Sequence, residues 1–535
     1  MNNTSANIHA CRPSALATFG VLALVLAFAL AFIPNQVHAA DYDYNDSTLW
    51  VNWGSGTRWS QYIDGAPSGG RVTPPFDNTI DNFYYNWQSD NHHTSTSLAK
   101  GLAFGANTMN NLYIDTSVAS GNEEFYGGTA TSSLTVAGTL YVHSTKSAER
   151  TLYFRGESGY TPSFSFGNIS LSSTSASPVL VYFGYNAKGV NNVIVNGTTL
   201  VANGSLRFIN AIGTVSLGEV LMTHENSGLM LATTVVGGDD IVRTVSVSGL
   251  TSENGYGSVQ VSGSAVVAGK SLHGILTINT AAEQSYDYSG KIAHGNEAAP
   301  GEGTTSLSVI KSGAGVQKLT GNLNIYAGGT TIDEGTLLAS NTLSTASATG
   351  SGEVQVNAGG ALGGTGHIAG TVTVESGATL SPGDLDASGV STAGTLTVNN
   401  TVTLEDGAVL AFNLAPGGGG DLLQVNGDLS LGSSVTLTAL LTSGTLADGS
   451  YTLFSYTGTL SGAANLSTWS VNGLMLADGQ SASFVSNFNT VYLQLGSIPE
   501  PATVAALPGV FGAIAVGVAA WRKRHNAKRQ IPETR

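Results

Sequence analysis

Cysteine is nearly missing from this chain of 535 residues: Cys11 is the single one. Intramolecular disulfides are therefore excluded, and with them any cysteine metal site or thiolate nucleophile after the first few residues. Charge is also scarce, at 10% of residues against about a quarter in an ordinary globular domain. Basic residues are fewer still. Between residues 40 and 501 there are 13 Lys and Arg against 34 Asp and Glu, a net charge of −21. Such a surface argues against nucleic acid as a partner, and against anionic polymers without a bridging cation. The long middle of the chain shows no amphipathic helix pattern, no glycine-rich phosphate loop opening a helix, and no Gly-x-Ser-x-Gly turn. No cofactor is expected.

What is present instead is glycine, 69 of them, and short alternating segments. Ser133-Leu134-Thr135-Val136, Ile169-Ser170-Leu171, Thr244-Val245-Ser246-Val247 and Leu276-Thr277-Ile278 each place apolar side chains on one face and small polar ones on the other. That is the period-two pattern of a half-buried strand. Repetition then separates hairpins from a coiled solenoid. Gly352-Glu353-Val354-Gln355-Val356 returns as Gly370-Thr371-Val372-Thr373-Val374, and Gly360-Ala361-Leu362 is echoed by Gly377-Ala378-Thr379-Leu380. A period near twenty residues with glycine corners suits one coil of a parallel β-helix. The expected fold is all-β: a long right-handed parallel β-helix, or β-solenoid, with an array of immunoglobulin-like sandwiches as the alternative.

The stretch Leu307 to Gly315, continued by Leu319-Thr320-Gly321, Asn324, Tyr326-Ala327-Gly328-Gly329-Thr330-Thr331-Ile332 and Gly335-Thr336-Leu337, resembles the autotransporter-associated β-strand repeat. One extra residue between Gly321 and Asn324 departs from the pattern. The resemblance implies a β-helical passenger displayed outside a bacterial cell. Autotransporters end in an outer-membrane β-barrel, whereas this chain ends in an apolar run and basic residues, so self-export by that route is not expected.

Both ends carry targeting patterns. Ala15 to Ile33 is apolar but for Thr18 and Gly20, and Val37-His38-Ala39 supplies a cleavage site, so a signal peptide over 1–39 is expected, cut after Ala39 or next after Ala40. The implied partners are the Sec translocon and signal peptidase. At the other end Pro499-Glu500-Pro501 precedes an uncharged run from Ala502 to Trp521 and then Arg522-Lys523-Arg524. Twenty helical residues reach about 30 Å, the hydrocarbon thickness of a bilayer, and the basic cluster belongs on the cytoplasmic side. This combination resembles the PEP-CTERM sorting signal, whose members are processed by the membrane enzyme exosortase. The expected layout is an aromatic-rich N-terminal cap region over 40–100, an irregular β-solenoid over 101–303, the autotransporter-type repeat over 304–340, and C-terminal solenoid repeats over 341–497. A sorting signal follows over 498–524, with a transmembrane helix at 502–521 and a basic cytoplasmic tail over 525–535.

Candidate sites are few. Trp50, Trp53 and Trp59 sit in an aromatic-rich segment that reads either as a platform for stacking sugars or as a cap over the first coil's open edge. Asp239-Asp240 with Arg243 is the best seed for a calcium-dependent polysaccharide lyase, although Gly237-Gly238 makes a tight turn the simpler reading. Asp384 and Asp386 read as loop residues, and His92-His93 lacks a third metal ligand at a familiar spacing. No catalytic or metal-binding residue is expected. The expected role is structural or adhesive, at the cell surface or in an extracellular matrix with exopolysaccharide. A surface lyase is the alternative.

Overall fold

The computed structural model describes strand backbone between residues 41 and 107 and, with side chains, most of 108–497; the longest internal stretches left out are 72–79, 87–99, 233–240, 262–269 and 295–303. Ala39, Ala40, Trp53, Trp59, His92, His93, Asp239, Asp240, Pro499, Glu500, Pro501, the apolar run 502–521, Arg522, Lys523 and Arg524 lie outside the described residues. Among the described residues no helix is long and apolar enough to cross a membrane. The chain divides into two compact units. One runs to Gln355 and includes Gly366–Gly370; the other comprises Val356–Thr365 and everything from Thr371.

The first unit is a β-solenoid. Strand Ser133–Ser144 pairs in parallel with Ala106–Asp115 before it and with Ser163–Ser173 after it. The same face continues through Val215–Met222, Ile241–Ser252, Ser271–Asn279 and Thr304–Ser312. A second face is built from Glu123–Gly127, Arg150–Gly156, Val179–Phe183, Gly204–Phe208 and Gly228–Ala232, again all parallel. A third begins later, with Ser285–Tyr288, Val316–Leu319 and Gly335–Ala339. Parallel pairing between successive coils excludes the antiparallel sandwich alternative.

Coil length differs from the expected twenty. Ser133 faces Ser163, Val215 faces Val245 and Ser271 faces Thr304, offsets of 30, 30 and 33 residues. Only some rungs are short, such as Val309 on Thr330 at 21. Strand segments and glycine corners recur more than once per coil, so their spacing in the sequence underestimates the turn.

Inward side chains stack in ladders. Leu134, Phe164, Val193, Val215, Val245, Leu276 and Val309 occupy one row in register, and all are buried. On the second face Phe125, Phe154, Phe183 and Phe208 stack with ring centroids 5.3, 5.2 and 5.4 Å apart. Burying each such side chain contributes roughly 1.5–3 kcal/mol, which is what a solenoid without disulfides and with little charge has available to hold itself together. A glycine is required where consecutive coils close on a corner: a Cβ at Gly218 would collide with the carbonyl of Gly197.

The second unit repeats the design. Leu362, Leu380, Leu410 and Leu437 form a fully buried ladder in register. Here Ala361 faces Thr379 at an offset of 18, matching the glycine-flanked echo in the sequence, and the next offset, to Val409, is 30. Parallel stacking ends where Gly449–Tyr456 pairs antiparallel with Thr490–Ser497, which pairs antiparallel with Gln480–Asn487. A short 3₁₀ helix, Ala463–Thr468, packs beside this hairpin.

Candidate functional site: the repeat and the terminal cap

The segment that resembles the autotransporter repeat is held by polar side chains turned inward. Lys311 is fully buried, and its Nζ donates to the carbonyls of Ser312, Gly313 and Glu334 at 2.9, 2.6 and 3.1 Å. A buried ammonium needs such partners. Burial pushes its pKa down to about 8, against the opposing pull of Glu334. Gly313 follows with φ +70°, the left-handed region that glycine adopts without strain, and so turns the chain under the ammonium.

Asn324 bridges two neighbouring coils. Its Oδ1 accepts the N–H of Ile292 at 2.8 Å, and its Nδ2 donates to Ala348 O at 2.7 Å. Tyr326 is buried, its hydroxyl 2.7 Å from Thr330 Oγ1, and burial holds the phenol well above its ordinary pKa. Lysine and asparagine, both recognised in the pattern, therefore satisfy backbone that the short coils would leave unpaired, the glycine after the lysine turns it, and the tyrosine fills the interior against Thr330. Gln317 was missed by sequence reasoning. It is buried, with an amide that reaches Leu250, Tyr286 and Lys318.

The outer face offers hydrogen-bonding strips. His273 Nδ1 lies 2.6 Å from Ser306 Oγ and its Nε2 3.3 Å from Ser308 Oγ, while Ser308 Oγ donates to Gly328 O at 2.6 Å. Burial lowers the His273 pKa, which favours a neutral ring. His273 and Ser306 sit opposite each other in paired parallel strands. Tyr113 and Tyr141 stack face to face at 4.6 Å.

The acidic candidates among the described residues, Asp384 and Asp386, are committed to backbone. Asp384 Oδ1 accepts Leu385 N–H, and Asp386 Oδ1 accepts those of Ser388 and Val390, as turn carboxylates do. Arg243 lies in Ile241–Ser252, and Trp50 begins Trp50–Asn52, which pairs in parallel with Lys100–Phe104. Among the described residues no group of three or more His, Asp or Glu side chains converges on a metal position. Asp421, almost wholly buried, accepts the N–H of Gly394 at 2.8 Å and of Asn413 at 2.7 Å, and also Asn413 Nδ2 at 3.1 Å. Burial raises its pKa and those three donors oppose the rise. In the second unit's cap, Leu466, Trp469, Val471, Leu474, Leu476 and Phe484, together with Ser467, Ser483 and Ser486, line a groove of about 760 Å³.

Residues 309–339 match the Passenger-associated-transport-repeat. Over 166 residues the chain is 43% identical to a protein described as Adhesin BmaC autotransporter, from Brucella suis biovar 1 (strain 1330). That stretch is 31% of this chain and 5% of the relative, so the chain spans only a small part of the relative's length. The β-solenoid thus carries this repeat, and about a third of the chain is similar to a small part of an adhesin autotransporter.

Proposed function

We propose that the chain is an exported bacterial surface or extracellular-matrix protein whose acidic β-solenoid is the working part, structural or adhesive, and whose C-terminal segment is a delivery device. One juxtaposition carries the reading: an autotransporter-type solenoid is followed directly by Pro499-Glu500-Pro501, an uncharged run over 502–521 and Arg522-Lys523-Arg524. The relative's description as an adhesin supports the adhesive role.

On this reading the Sec translocon exports the chain and signal peptidase removes residues 1–39. The apolar run halts in the inner membrane with the basic tail in the cytoplasm. The two prolines keep the tripeptide out of the helix and extended, where exosortase can reach it and cut beside it. The solenoid then passes to the cell surface or to a matrix containing exopolysaccharide. Exosortase supplies the chemistry of the cut, and this chain is its substrate.

The test is a pulse-chase of a C-terminally tagged protein in cells with and without exosortase. The tag should disappear only where exosortase is present, and Glu500→Ala or Pro501→Ala should preserve it. A tag kept in wild-type cells and unaffected by either substitution overturns the reading.

A further inference from the structure

The cap of the second unit presents an apolar rim beside the last described residue. Gln480 faces Ser497 across the closing hairpin. Asp448 clasps that end: Ser497 N and Oγ donate to its Oδ2 at 3.0 and 2.5 Å, and Gln480 Nε2 donates to its Oδ1 at 2.8 Å. The turn entering Gln480 is closed by its N–H to Ala477 O at 2.9 Å and by Ala477 N–H to its Oε1 at 3.1 Å. Met475 and Leu476 immediately precede this turn and stand 74% and 43% exposed. Leu474 and Leu476 also line the groove. Two adjacent large apolar side chains left in water at one spot, beside a groove, make this a candidate contact surface.

We infer that this rim docks on the surface of a lipid bilayer. The inference rests on the proposed reading of 502–521 as a membrane span. The five residue steps from Ser497 to Ala502 reach at most about 18 Å when fully extended, which bounds the distance between Ser497 and the hydrocarbon. The Asp448 clasp prevents the last strand from fraying to give more slack. Met475 and Leu476, one tight turn from Ser497, are thereby kept within reach of the headgroups, where apolar side chains insert and polar backbone remains hydrated. Asp448 and the exposed Asp478 lie at the same end. Attraction to anionic lipid is therefore not the driving force, and the contact is apolar and insensitive to salt. Phe488 is 91% exposed but lies at the opposite end of the hairpin, about 25 Å from Ser497 along eight strand residues, and faces water.

The test uses the full chain with Cys11→Ser, and single cysteines introduced by Met475→Cys, Phe488→Cys or Phe511→Cys. Each carries an environment-sensitive fluorophore and is reconstituted into phosphatidylcholine vesicles. The expected result is a blue shift at positions 475 and 511 but not at 488. A quencher attached at headgroup level should quench position 475 strongly and position 511 weakly, with no change on adding salt. If position 511 is in lipid while 475 emits as 488 does, the docking inference fails and the span stands. If position 511 itself stays aqueous, the span reading fails and the docking inference falls with it.

Discussion

The side-chain amide of Gln317 pairs with both backbone groups of Leu250: Leu250 N–H donates to Oε1 at 3.0 Å, and Nε2 donates to Leu250 O at 3.0 Å. Leu250 lies in Ile241–Ser252, whose register with the following strand stops at Val247 on Ile278. The last residues of that strand therefore lack a neighbouring rung on one side, and Gln317 substitutes for it. Gln317→Leu keeps the volume but leaves a buried donor and acceptor unpaired. A loss of about 2–4 kcal/mol is expected, since each orphaned group costs roughly 1–3 kcal/mol. The change in urea midpoint at unchanged m-value measures it.

Lys311 gives stability a pH dependence with a definite sign. Its folded pKa, about 8, lies below the ordinary lysine value of 10.5. Between those values the unfolded chain holds a proton that the folded protein has released, so the Lys311 contribution rises with pH through that window. Below about pH 8 both states are charged and the contribution is flat. Comparing wild type with Lys311→Met by chemical denaturation across pH 7 to 10.5 isolates this term. The advantage of the wild type should grow above about pH 8.

Asp421 receives two backbone N–H groups and one side-chain amide inside the second unit. Asp421→Asn places an NH₂ against one of those N–H donors, and a destabilisation of about 1–3 kcal/mol is expected. Asp421→Ala strands all three donors and should cost more. The pair of variants, compared in urea, separates a polar clasp from mere space filling.

The phenylalanine ladder makes a plainer prediction. Phe154 contacts Phe125 and Phe183 in stacked geometry and is fully buried. Phe154→Ala should cost about 3–5 kcal/mol, and Phe154→Leu markedly less. Thermal unfolding of the two variants orders them.

Fold class was legible because burial in a solenoid strand has period two. In Ser133-Leu134-Thr135-Val136 the apolar pair is buried and the polar pair half-exposed, as the alternation indicates. Coil length was less legible, because the connections between faces vary in length and a glycine corner does not say which corner it is. The spacing of Phe125, Phe154 and Phe183, 29 residues each time, carried the true period in the sequence. Gln317 was not legible at all. Val316-Gln317-Lys318-Leu319 alternates, yet the structure buries Gln317 and leaves Val316 half-exposed. The reason is an unpaired backbone 67 residues away, which no local pattern encodes. Lys311 and Asn324 were found through the resemblance, but why a lysine and an asparagine belong there became clear only from the carbonyls and N–H groups they satisfy.

The most direct test of the whole account is intact mass spectrometry of the protein recovered from the cell surface or medium of its host. The account predicts a chain that begins after Ala39 or Ala40, contains the repeat over 309–339, and ends beside Pro499-Glu500-Pro501 without residues 502–535. A surface protein that retains Arg522-Lys523-Arg524 in cells possessing exosortase would contradict it.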